Sequence, residues 1–138
     1  MLDLSAAARG HFEHPRNAGD LNPGDPDVAT ARVGVPIGGE ILRLHLKVDV
    51  RDTIVAARFK AYGCGWMIAC GSLLTECIEG LTLAEAEHFR HHELVEKLEV
   101  PPAKLHCAVL AETALGAALR DYAAKRSPAP AAQTDSQP

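Results

Sequence analysis

The stretch "ILRLHLKVD", Ile41 to Asp49, decides how the chain folds. Leu42, Leu44, Leu46 and Val48 alternate with Arg43, His45, Lys47 and Asp49. Side chains alternate faces along a β-strand, so this segment reads as a strand with one apolar and one solvated face. A wet face points to an antiparallel sheet, because parallel sheets are covered on both sides. A short turn around Arg51 and Asp52 leads into "TIVAARFKAY". There Val55, Ala57 and Phe59 oppose Arg58 and Lys60. Upstream, "ARVGVPI" reads as an edge strand, since Pro36 suits an edge better than a centre. The result is a small three-stranded antiparallel sheet.

Outward from the sheet the pattern changes. At "YGCG", Gly63 and Gly65 flank Cys64, and helical periodicity begins at about Trp66 and runs to Gly80, a good residue for a helix end. "TLAE", Thr82 to Glu85, fits a capping box that opens a short helix. Another short helix spans His92 to Leu98 and stops at the "VPP" of Val100 to Pro102. A last helix, roughly 106 to 124, carries Leu110, Ala114 and Ala117 on one stripe and Leu115, Leu119 and Tyr122 on its neighbour. Residues 4–13 form a short helix before Pro15, and "HPRNAGDLNPGDPD" is loop by composition. Strands first and helices after indicate an α+β fold, the sheet packed against a bundle of helices. Residues 1–126 form one domain. The tail 127–138, "SPAPAAQTDSQP", has no large apolar residue and reads as disordered.

Bulk composition narrows the function. A chain of 138 residues is one domain on length and can bury roughly two-thirds of its unfolded surface. Its 47% hydrophobic and 23% charged residues are ordinary for a globular protein. A net charge of −4 without any Lys/Arg run argues against nucleic-acid and anionic-membrane partners. No apolar run is long enough to span a bilayer, and the start carries no secretory signal, so the expected location is cytoplasmic.

Four cysteines, at positions 64, 70, 77 and 107, fit metal binding, catalysis or burial better than disulfides in such a chain. Cys64 sits uncrowded between two glycines at a strand-to-helix junction, where a helix N-terminus favours thiolate. The alternative is a structural cysteine in a tight turn. His106 and Cys107 open the last helix after "PPAK". Imidazole and thiolate are the usual ligands of zinc and of iron–sulfur centres. Taken alone, a solvent-facing histidine beside a core cysteine is the simpler reading of the pair. Cys70 and Cys77 share one helix face, and Cys77 reads as core. His88, His91 and His92 lie amid Glu and Arg and read as a solvated face. Glu40, after "GG" at the start of the central strand, would ordinarily face solvent.

The motifs together resemble a known family, the U-type iron–sulfur cluster scaffolds (IscU and the N-terminal domain of NifU). The match runs from about His11 to Tyr122 through "HPRNAG", "ARFKAYGCGWMIA", "SLLTECIEG" and "VPPAKLHCAVLAE". The resemblance implies an α+β domain whose ligand site lies at one exposed end. It implies transient assembly of a [2Fe–2S] cluster, with zinc or iron bound and sulfur taken from a cysteine desulfurase. Further implied partners are an Hsp70-type chaperone system and recipient apo-proteins. By motif, Cys64, His106 and Cys107 are metal or cluster ligands, and Cys107 is the sulfur acceptor. Val100, Pro101, Pro102, Ala103 and Lys104 correspond to the chaperone-recognition segment.

The chain departs from the family at "GVPIGGE". Gly38 stands where the first ligand cysteine is expected, and Glu40 where an aspartate is. Trp66 and Met67 replace a serine and an alanine close to the implied cluster. Glu40, Cys64, His106 and Cys107 then form the remaining donor set, with Cys70 as a substitute ligand only if its helix turns it inward. The role implied is binding and carriage rather than enzymatic turnover. Two rivals are a zinc-stabilised regulatory or interaction module of the same fold, and a thiol enzyme with His106 as base to Cys107 or Cys64.

Overall fold

The computed structural model describes residues 4–34 and 39–126. The chain runs α1 (Ala6–Glu13), β1 (Val28–Gly34), β2 (Ile41–Val48), β3 (Ile54–Tyr62), α2 (Gly65–Ile78), α3 (Leu83–Ala86), α4 (His92–Leu98), a 3-10 turn (Pro102–Lys104) and α5 (Leu105–Arg126). The strands form one antiparallel sheet in the order β1-β2-β3, so β1 is an edge strand as its sequence predicts. Pro36, Gly38 and the tail 127–138 lie outside the described residues.

The alternation in β2 sets the layers. Leu42, Leu44, Leu46 and Val48 are fully or almost fully buried, and they meet Ala57 and Phe59 of β3 in one core. Helices cover that face, α5 chiefly against β1 and α2 chiefly against β3. The α2–sheet approach is very close at Gly71, where a Cβ would lie 2.6 Å from Phe59 Cδ2. A glycine is the residue that allows this contact. The far end of α5 is fastened to β1: the Thr30 N–H donates to Asp121 Oδ2, and Lys125 Nζ donates to the Val28 carbonyl at 2.6 Å.

Local signals mostly survive folding. Thr82 caps α3 with the reciprocal capping box, its hydroxyl accepting from the Glu85 N–H and the Glu85 carboxylate accepting from the Thr82 N–H. The loop after α1 is tied to α2 by side-chain bonds: the Arg16 N–H donates to Ser72 Oγ, and Asn17 Nδ2 donates to Thr75 Oγ1.

Two sheet expectations are corrected. Val55 was placed on the inner face, but it is 50% exposed and Ile54 is buried instead. The register slips between Lys47 and Val48, pairing Lys47 with Ala56 and Val48 with Ile54, so Val55 is the extra residue of a bulge. His45 was placed on the wet face, yet it is only 6% exposed. The loop carrying Leu21 lies over it, and the Leu21 N–H donates to His45 Nδ1 at 3.0 Å.

Candidate functional site

Three chain segments meet at one end of the sheet. Glu40 immediately precedes β2, and Cys64 follows β3 by two residues. Because Ile41 pairs with Tyr62 across the two strands, the register sets Glu40 beside Gly63 and Cys64. Gly63 makes this approach possible: its φ is +131°, and a Cβ there would stand 2.9 Å from Glu40 Cγ and 3.1 Å from Glu40 Cα. Cys64 then caps α2 with extended backbone and no side-chain capping bond. The third segment is the start of α5, where the 3-10 turn delivers His106 and Cys107 to the same end.

The donor atoms converge. One ligand atom each from Glu40, His106 and Cys107 lies within 4.8 Å of the others. Cys64 Sγ is 3.9 Å from Cys107 Sγ, which brings the second thiol alongside. Zinc ligands at about 2.0–2.3 Å from the metal in tetrahedral array are about 3.3–3.8 Å apart, so modest closure would satisfy one ion.

The electrostatics of Glu40 support such a fit. The residue is 5% exposed, contrary to the expectation that it faces solvent, and its Oε1 makes no hydrogen bond among the described residues. His106 Nε2 lies 3.4 Å from that oxygen, without hydrogen-bond geometry. A buried carboxylate oxygen without a donor is costly, and a cation is what relieves it.

Cys107 corrects another expectation. The helix start was expected to favour its thiolate, but the side chain is fully buried. Burial first, and the neighbouring Cys64 next, push its thiol above the ordinary range. A metal that replaces the proton reverses that preference. Cys64 is only half-buried and is the more accessible thiol.

The remaining sequence candidates fall elsewhere. Cys70 is fully buried in the core and outside the converging donors, its thiol pushed up to about 12 by burial and then by Cys64. Trp66 and Met67 are also core residues, at 3% and 0% exposure. His91 Nδ1 contacts Glu112 Oε1 at 2.9 Å, and His92 stacks on His91, so that histidine group is engaged locally. Among the described residues, only the Glu40, His106 and Cys107 set could hold a metal. In the segment 100–104, Val100 is buried, whereas Pro102 and Ala103 are exposed on the 3-10 turn. Sequence reasoning missed the role of Gly63 in seating Glu40. The "GCG" signal is visible in the sequence and reads as backbone freedom and room for Cys64, but not as a seat for Glu40.

The sequence matches the family described as NifU-like N terminal domain over residues 5–129. It is 50% identical over 116 residues to the iron-sulfur cluster assembly scaffold protein IscU of Azotobacter vinelandii, covering 84% of this chain and 91% of that one. It is 44% identical over 125 residues to iron-sulfur cluster assembly protein 2 of Arabidopsis thaliana, covering 91% of this chain and 77% of that one. Among solved structures, the N-terminal NifU-like protein of Brucella abortus superposes with a TM-score of 0.67 at 17% identity, over 89% of this chain and 95% of that one. At that identity the structural likeness bears on fold alone.

Proposed function

The chain belongs to the NifU-like N-terminal domain family, and from that premise we propose that it is an iron–sulfur cluster assembly scaffold with an altered ligand set. The observation that carries this reading is the convergence of Glu40, His106 and Cys107, with Cys64 alongside, around a buried carboxylate oxygen that lacks a donor among the described residues. The cluster, a transient [2Fe–2S] unit, is cargo. Zinc or iron occupies the same donors between rounds of assembly.

In this reading Cys107 accepts sulfur from a cysteine desulfurase. Its thiolate attacks the outer sulfur of the desulfurase persulfide, and the desulfurase cysteine leaves as thiolate. Because the Cys107 thiol is buried, docking must first expose it or metal must displace its proton. The exposed Pro102 and Ala103 turn is the element offered to an Hsp70-type chaperone, ahead of delivery to recipient apo-proteins in the cytoplasm. Among the described residues no helix is long and apolar enough to cross a membrane.

A second reading is favoured by one observation: Gly38 leaves two thiolates, one imidazole and one carboxylate. Such a set closes a tetrahedral zinc site, as a regulatory module of this fold would need. Anaerobic reconstitution with iron, cysteine and a desulfurase separates the two. A scaffold develops a visible cluster spectrum that Cys64→Ala and Cys107→Ala abolish and Gly38→Cys prolongs. Retention of one tightly held zinc with no cluster, in wild type and Gly38→Cys alike, would establish the zinc module. Full metal occupancy in the Cys64→Ala, Cys107→Ala double variant would remove the site from both readings.

A further inference from the structure

The outer face of the sheet carries charge that the fold does not use. β1, β2 and β3 contain five Lys or Arg residues and no Asp or Glu. No sequence run reveals them, because they sit at alternate positions on three strands and only the sheet brings them together. Arg32 lies directly opposite Arg43, and Arg43 directly opposite Lys60, so three cations form one cross-strand row. Like charges in that arrangement destabilise a sheet.

The surrounding acids neutralise this face unevenly. Arg58 pairs with Glu79 at 3.3 Å, and Lys47 with Asp25 at 3.8 Å. Asp20 is shared: Lys60 Nζ holds Oδ2 at 2.9 Å while Arg43 contacts Oδ1. Arg32 is exposed and meets no carboxylate among the described residues. The row therefore has three cations for one carboxylate, and Arg32 is the cation left without a partner among the described residues.

The Arg32 side is concave. A cavity of about 540 Å³ is lined by Arg32, Arg43, His45, Thr30, Leu21 and Asp20, among others, and the Asp20 carboxylate in its wall is held by Arg43 and Lys60. The volume is in the range of small-ligand pockets. His45 is a buried polar side chain in its wall, and its Nδ1 already accepts the Leu21 N–H. The neutral ring must therefore carry its proton on Nε2, leaving that nitrogen a donor. Two guanidinium forks, an imidazole N–H and a threonine hydroxyl over a Leu and Pro wall match an anionic head on a small body.

We propose that this cavity is a binding site for a small dianionic oxyanion, a phosphate-type or dicarboxylate ligand, on the sheet face away from the metal-ligating end. Arg32 and Arg43 supply the charge, and His45 and Thr30 orient the ligand. One dianion balances the row of three cations and one carboxylate.

The test is a titration of the full-length protein at low ionic strength, with inorganic phosphate and succinate as separate probes and sodium chloride of equal ionic strength as control. Nitrogen–proton correlation spectra should show saturable shifts at Leu21, Thr30, Arg32, Arg43 and the His45 ring, with the chloride control showing none. Saturation by one probe alone identifies the head group and supports the site. Arg32→Gln should weaken binding by about tenfold or more, as loss of a charge-assisted pair implies. Its melting temperature without ligand should equal or slightly exceed that of wild type, since Arg32 faces Arg43 and makes no ion pair among the described residues. Arg43→Gln should weaken binding comparably, and Arg58→Gln, whose partner is Glu79, should not. Absence of saturable shifts with both probes at about 20 mM, a range already weaker than ~1 mM affinities, would overturn the proposal. So would shifts equal to those of chloride, or unchanged affinity in Arg32→Gln.

Discussion

Gly63→Ala tests the link between the backbone of the β3–α2 junction and the metal-ligating end. A residue with a side chain held at the +131° φ of Gly63 carries backbone strain of about 1–3 kcal/mol. The added methyl would sit 2.9 Å from Glu40 Cγ and 3.1 Å from Glu40 Cα, and the second contact is to backbone that cannot swing aside. Overpacking of this kind costs about 1–3 kcal/mol, while lower entropy of the unfolded chain returns about 0.4–1 kcal/mol. The net expectation is destabilisation by about 2–4 kcal/mol, or roughly 10 °C in melting temperature for a domain of this size. Relief of the clash pushes the Glu40 carboxylate away from His106 and Cys107, so zinc affinity should fall by about tenfold to a hundredfold. Thermal melts of the metal-free protein and competitive zinc titrations measure the two effects. Gly80→Ala is the control: its φ is +92° but a Cβ there meets nothing within 4 Å. It should lose stability through backbone strain and keep its zinc affinity. Wild-type affinity in Gly63→Ala, or equal loss in Gly80→Ala, would refute the reasoning that Gly63 seats the carboxylate.

Gly71→Ala should lower stability by about 1–2 kcal/mol in urea denaturation, because the methyl would meet the buried Phe59 ring at 2.6 Å and helix propensity returns only about 1 kcal/mol. Gly10→Ala, with open space around its Cβ in α1, should instead stabilise, and a wild-type midpoint for Gly71→Ala would show that α2 does not approach the sheet this closely. Burial raises the Cys70 thiol from its ordinary value near 9.0 to about 12, so between these values the unfolded chain binds fewer protons than the folded one and stability falls as pH rises. The stability difference between wild type and Cys70→Ala should therefore move by about 1.4 kcal/mol between pH 8 and pH 10, to the disadvantage of wild type, and a constant difference would contradict the burial of an un-ionised thiol.

What the sequence made legible follows from the range of the forces involved. The alternation of Leu42, Leu44 and Leu46 and the capping box at Thr82 are local rules, and both elements form as read. Val55 broke the pattern because a bulge depends on register between two strands, which one strand's sequence does not record. Strand alternation assigns His45 to solvent, and residue type assigns Glu40 there. Each is buried by a segment distant in sequence, the Leu21 loop in one case and the β3–α2 junction with the start of α5 in the other. The place of Cys107 at a helix start predicts a favoured thiolate, and full burial outweighs that effect. The cationic row escaped because charge was sought as a contiguous run, whereas a sheet gathers charge at every second residue from three strands.

The altered donor set bears on what kind of scaffold this chain can be. A [2Fe–2S] unit takes four protein ligands, two to each iron, and mixed thiolate and imidazole ligation of such units occurs and raises their potential. The family pattern offers five donors, one more than a single cluster needs. With Gly38 in the first position the proposed set holds four: Glu40, Cys64, His106 and Cys107. The number is therefore still sufficient, and what changes is the balance of donors, from three thiolates to two. A carboxylate gives iron less charge than a thiolate and exchanges more readily with water, so the cluster would be held more loosely and reduced more easily. The methylene that distinguishes Glu40 from aspartate lengthens the reach of the carboxylate from a backbone position that Gly63 fixes from behind. Loss of the spare ligand thus removes the donor that would let one thiolate take up sulfur while four others keep the metal. On the proposed roles Cys107 is both the sulfur acceptor and one of four metal donors, so the two states compete for a single thiolate.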